Sequence, residues 1–146
     1  MKISKRGLYG VRALSHLADR YGPGVVQIRE IAKAEAIPAK FLEGILLELK
    51  HAGMVRSRRG IEGGYQLARR PDEIYLGAVV RVLDGSLAPM GSAAELREML
   101  HAEPRHAGFY SILLDVRDAA AKILDGTTLA DVVARNREFR EGRRER

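Results

Sequence analysis

The residues of this chain best suited to acid–base or metal chemistry are its four histidines, His16, His51, His101 and His106. They are scattered, with no His-Glu-x-x-His pairing and no nucleophile motif, so the expectation is that the chain is not an enzyme. His101 and His106 stand five apart with Glu103 between them, a donor set that could hold zinc or iron. The alternative is three solvent-exposed loop groups. The glycines of Gly60-Ile61-Glu62-Gly63-Gly64 lack the Gly-Lys-Ser/Thr of a phosphate loop and offer no nucleotide site. Cysteine is absent altogether, which excludes disulfides, thiolate-ligated zinc and any iron–sulfur cluster bound wholly by cysteine. No cofactor is expected.

What remains is the chemistry of positive charge. Residues 1–70 hold 14 Lys/Arg against 6 Asp/Glu, whereas residues 71–146 hold 11 against 13. A net charge of +6 is therefore concentrated in the N-terminal half, as a face that binds a polyanion would require. No run of apolar residues is long enough for a transmembrane helix. The basic start is followed by segments interrupted by Arg12, His16 and Asp19, unlike a signal peptide. A soluble cytoplasmic protein is expected.

The elements that must position this charge follow from periodicity. Leu8, Val11, Leu14, Leu17, Ala18 and Tyr21 recur at helical spacing over 5–21, and Gly22-Pro23-Gly24 ends the helix. A short helix from about Gln27 to Glu35 and a second from Pro38 to about Ala52 are separated by a turn at Ile37-Pro38. Two short helices joined tightly match a helix-turn-helix. Met54–Arg59 and Tyr65–Ala68 read as two strands around the glycine turn, a hairpin wing with Arg56, Arg58 and Arg59 leading into its tip. A helix follows from about Tyr75 to Leu83, then irregular chain over 86–107 with room for a helix at Ala93–His101. Phe109, Ile112, Leu113, Val116, Ala120, Ile123 and Leu124 mark a long amphipathic helix, and Thr128-Leu129-Ala130-Asp131 resembles a capping box opening a short last one. The tail from Arg135 is mostly charge and is expected to fray.

Taken together, the opening Met1–Tyr9, Phe41-Leu42-Glu43 with Leu49, the wing Arg59–Ala68, Leu83-Asp84-Gly85 and Leu124–Asp131 resemble the Rrf2 family of bacterial winged helix-turn-helix regulators. The resemblance spans residues 1 to about 134. It implies a mainly α fold with a small β-hairpin wing, and a homodimer that binds palindromic or pseudo-palindromic double-stranded operator DNA, most often as a repressor. It divides the chain into a winged helix-turn-helix domain (1–84), a variable sensor-type loop (85–107), a dimerisation helix with a short closing helix (108–134) and a charged tail (135–146). Many family members sense their signal through a cluster held by three cysteines before the long helix. The matching stretch here, about Pro89 to Gly108, has none, so that role does not carry over. An effector ligand or a partner enzyme would then supply the signal.

On this reading Ala39, Lys40, Phe41, Glu43 and Gly44, at the start of the recognition helix, face the major groove. Arg56, Arg58, Arg59, Gly60, Gly63, Gly64 and Tyr65 form a wing whose Arg59 enters the minor groove. Lys2, Ser4, Lys5 and Gln27 contact phosphates. Phe109, Ile112, Leu113, Val116, Ala120 and Ile123 form the dimer face. The competing readings are a winged-helix module for protein contacts and a regulator that senses a metal or small ligand through the 89–108 loop.

Overall fold

The computed structural model describes residues 2–144; the expectations for Met1 and for the final two residues of the tail fall outside the described residues. Seven helices and one hairpin follow in order: α1 (Lys5–Asp19), α2 (Ile28–Glu35), α3 (Ala39–His51), β1 (Val55–Arg58), β2 (Gly64–Leu67), α4 (Leu76–Asp84), α5 (Ala93–Ala102), α6 (Ala107–Asp125) and α7 (Leu129–Arg144). The chain is mainly α with a two-stranded antiparallel wing, as its periodicity indicates.

One core serves α1 to α4 and the wing. Leu14, Ile31, Leu42, Ile45, Leu46, Leu49, Val55, Leu67 and Val79 are buried in it, and Leu129 and Val133 of α7 join the same cluster. The last helix thus completes the N-terminal module, although the sequence groups it with the dimerisation helix. Its link is reinforced where Tyr75 pairs with Thr128 and the Leu129 amide donates to the Ile74 carbonyl (2.8 Å).

Local signals explain most boundaries. Ser4 caps α1 by accepting from the Gly7 amide (3.1 Å), while its own amide donates to the Asp84 carboxylate (3.0 Å) and its hydroxyl bonds the same group. This closes α1 onto the end of α4. His16, buried in α1, bonds Glu35 of α2 through Nδ1 (3.0 Å) and also contacts Arg20. Between α2 and α3 the chain turns through Ala36 in the left-handed region (φ 52°), one residue before the expected Ile37-Pro38 turn, and Pro38 caps α3 instead of starting it. Thr128 and Asp131 exchange the reciprocal bonds of a capping box (2.8 and 3.2 Å).

The helix expected at Ala93–His101 is present as α5, started by a capping box of Ser92 and Glu95, and the chain from 86 to 92 is irregular as expected. One expectation needs correction. The tail does not fray at Arg135: α7 runs on to Arg144, with Arg137 (3.2 Å) and Arg140 (3.9 Å) paired to Asp19 of α1. Those pairings give a polar helix the tertiary anchor that its composition lacks.

α6 rests on the module through a small separate cluster of Val80, Leu87 and Ala121 with Leu124. Arg81 of α4 grips Asp125 at the end of α6 in a two-pronged ion pair, with bonds of 2.5 and 2.9 Å. α5 packs against the other end of α6, where the Tyr110 hydroxyl donates to Glu103 (2.8 Å). Among the described residues no helix is long and apolar enough to cross a membrane.

Candidate nucleic-acid interface

Helix α3 and the wing stand side by side on one basic face. The four apolar residues Leu42, Ile45, Leu46 and Leu49 bury one side of α3, which leaves Ala39, Lys40, Phe41, Glu43 and Gly44 exposed on the other. The helical period alone produces this division. Lys40 and Glu43 make no bond or ion pair among the described residues. Phe41 is 40% exposed and packs edge-on against Tyr9 of α1, with ring centroids 5.6 Å apart. Its orientation is therefore set by the fold while part of its ring stays open.

The wing is held to the helices at three points. Val26, just before α2, pairs with Tyr65 through reciprocal amide–carbonyl bonds (both 2.8 Å), adding a one-residue third strand. The Gln27 side-chain Nε2 donates to the Ile61 carbonyl at the tip (3.4 Å). Lys50 of α3 donates to the Ser57 hydroxyl of β1 (2.8 Å). Between wing, α2 and α3 lies a groove of about 600 Å³, whose rim carries Arg29, Lys50, Arg58 and Arg59. Within it Arg58 and Arg59 are exposed and form no ion pair among the described residues.

The glycines divide by task. Gly60 (φ 107°) turns the chain as expected. Gly64 does not serve the turn: a Cβ there would collide with the backbone of Val26, so its role is the close approach of β2 to that strand. Gly63 likewise presses on the Arg58 and Gly60 backbone. Tyr65 is partly buried against the core.

Three further expected contacts are engaged inside the fold. Ser4 is the α1 cap bonded to Asp84. Gln27 also accepts from Arg29 Nε (3.1 Å). Arg56 lies on the opposite side of β1 from Ser57, where its Nε reaches the Gln66 amide oxygen (3.2 Å) in the orientation that also lets Gln66 donate to Gly24. Lys2 and Lys5 are exposed beside the start of α1. Sequence reasoning did not single out Arg29, Lys50 or Ser57, which line the same groove as Arg58 and Arg59.

On α6, Phe109, Ile112, Val116 and Ile123 are 61%, 59%, 49% and 67% exposed, with Leu113 and Ala120 half-buried beside them. This is an apolar stripe along one helix that no other described residue covers.

His101, Glu103 and His106 are all exposed, and Glu103 is taken by Tyr110. Among the described residues no three His, Asp or Glu side chains converge as a metal ion requires. The donor set does not fit a cysteine-ligated iron–sulfur cluster, since the chain contains no thiolate.

Comparison with known proteins places this geometry. The family model Rrf2, described as an iron-dependent transcriptional regulator, matches residues 3–135. The HTH-type transcriptional regulator CymR of Bacillus subtilis is 35% identical over 134 residues, 92% of this chain and 91% of that protein. The regulator IscR of Aliivibrio salmonicida is 29% identical over 142 residues, covering 93% and 79% respectively. Among solved structures, CymR, titled the global cysteine regulator of B. subtilis, superposes with a TM-score of 0.74 at 34% identity, over 92% of this chain and 97% of that one. IscR of T. potens gives 0.73 at 32% identity, over 95% and 90%.

Proposed function

We infer the function from the premise that this chain belongs to the Rrf2 family, whose members are DNA-binding transcriptional regulators and not enzymes. Within that class it acts as a cytoplasmic homodimeric repressor that needs no cysteine-ligated cluster. The observation that carries this reading is the pairing of two separate faces. A basic groove, rimmed by Arg29, Lys50, Arg58 and Arg59, adjoins the open side of α3. The apolar stripe on α6 lies on a different element, free for a second copy. Two α3 helices related by a twofold axis would read half-sites about 34 Å apart, roughly one turn of DNA. Lys40 supplies a donor for a guanine edge, Glu43 an acceptor for cytosine, and Phe41 an apolar surface for a thymine methyl.

The test is selection of binding sites from random duplex DNA by purified, metal-free protein, followed by affinity across a salt series. A palindromic motif with a log–log salt slope of roughly −5 to −9 is expected, from some six to ten phosphates neutralised per dimer. Equal affinity for all sequences, or binding only after iron and sulfide are added, would overturn the reading.

A further inference from the structure

Among the described residues the most exposed large apolar side chain is not on the α6 stripe but at the end of the wing. Ile61 is 98% exposed, more than Phe139 (78%) or any of the exposed large apolar residues of α6. Single exposed apolar residues are ordinary on protein surfaces. This one differs in its setting, because the backbone that carries it is held rigidly. The Gly63 amide donates to the Gly60 carbonyl (3.0 Å) to close the turn, and the Ile61 carbonyl accepts from Gln27. Arg58 and Arg59 precede it and Glu62 follows.

We propose that Ile61 is a specificity-determining residue that enters the minor groove of operator DNA and rejects guanine there. The inference rests on the DNA-binding reading above and deepens it. Arg58 and Arg59 bring the tip to the groove. An isoleucine side chain has no donor or acceptor, so it cannot hydrogen-bond base edges. Its contacts are with deoxyribose faces and the groove floor, where an apolar wedge also eases unstacking of a flexible pyrimidine–purine step. A·T pairs leave that floor open, while G·C pairs project the guanine N2 amino group into it. Covering that amino group with an aliphatic side chain strips its water and returns no hydrogen bond. The residue thereby reads by exclusion, which Arg59, drawn to negative potential, does not do.

The experiment measures affinity for the selected operator with A·T, G·C or inosine·C placed at the base pairs facing the wing. Inosine·C keeps the major-groove face of G·C but lacks the minor-groove amino group. The wild-type protein is expected to bind G·C about tenfold more weakly than A·T, with inosine·C restoring affinity to within about twofold, as for loss of one unpaired polar group. In Ile61→Ser that discrimination falls below about threefold, because the hydroxyl can partner the amino group. Ile61→Ala, which tests the wedge, lowers affinity for the A·T operator itself. If Ile61→Ser and Ile61→Ala keep the wild-type affinity and base preference, the inference is overturned. The same holds if inosine·C behaves as G·C does. If the wild-type protein selects no operator at all, the regulator reading falls first, which is a distinguishable result. Substitution at so exposed a position leaves the fold intact, checked by unchanged thermal unfolding.

Discussion

Lys40 and Arg59 project from the surface proposed to face DNA with no bond inside the described fold, and that freedom sets what their removal does. Lys40→Ala and Arg59→Ala should each weaken operator binding by about 1–3 kcal/mol, some 5- to 150-fold, while stability stays within about 0.5 kcal/mol of wild type. Parallel fluorescence-anisotropy titrations and urea unfolding would check both halves. A loss of stability matching the loss of affinity would show that these side chains are structural. Ser4 is the contrast. Its position at the basic N-terminus suggests a phosphate contact, yet Ser four residues before Leu8 is equally the signature of a helix cap, and the cap is what the fold uses. Sequence alone could not choose, because the deciding partner, Asp84, is eighty residues away. Gly64 was ambiguous in the same way, since only the unseen pairing with Val26 shows that it makes space and does not turn the chain.

Elements were far more legible than contacts. The amphipathic helices and the alternating wing declare themselves through spacing, which reflects burial directly. The misreadings lie where a tertiary contact overrides local chemistry, as when Asp19 anchors the arginines of α7 and extends it through a stretch of charge. The α2–α3 turn shows how local strain is carried. Ala36 sits at φ 52°, a region that costs a residue with a Cβ about 1–2 kcal/mol, against about 0.5–1 kcal/mol of extra chain entropy lost by glycine. Ala36→Gly is therefore expected to stabilise the protein by about 0.5 kcal/mol, measurable as a raised urea midpoint. The Arg81–Asp125 pair makes a second, pH-dependent prediction. The hydrogen bond from Arg81 holds the Asp125 carboxyl below its ordinary value. A depressed carboxyl stabilises the fold above its unfolded pKa, near 4, and that contribution disappears as pH falls through the folded value. Asp125→Asn should thus lower stability at pH 6, with the difference from wild type closing below about pH 4. A difference that stayed constant from pH 6 down to the onset of acid unfolding would show that the side chain acts by packing and not by charge.

On the scale of the whole molecule, the stripe of Phe109, Ile112, Val116 and Ile123 is the feature that most asks for a partner. Placing a carboxylate in its centre, Val116→Asp, would bury an unpaired charge in any dimer that uses the stripe, a penalty of several kcal/mol. The expected outcome is a monomer by analytical ultracentrifugation that remains folded by circular dichroism and loses operator affinity by more than about a hundredfold, since two half-sites no longer act together. A Val116→Asp protein that stays dimeric would move the dimer interface off α6.

Leu129 and Val133 close the same core that α1 to α4 begin. Proteins are made from the N-terminus at about 5–20 residues per second, and domains ordinarily fold as they emerge. Here α1 to α4 and the wing emerge first but lack part of their interior until α7 leaves the ribosome. A nascent or prematurely ended chain would carry α3 and the wing on an open core, poorly placed to grip an operator and visible to proteases. Packing α7 against α1 makes the interior of the N-terminal module depend on residues made after it, so a chain ended before Leu129 is expected to be protease-sensitive and to bind DNA poorly.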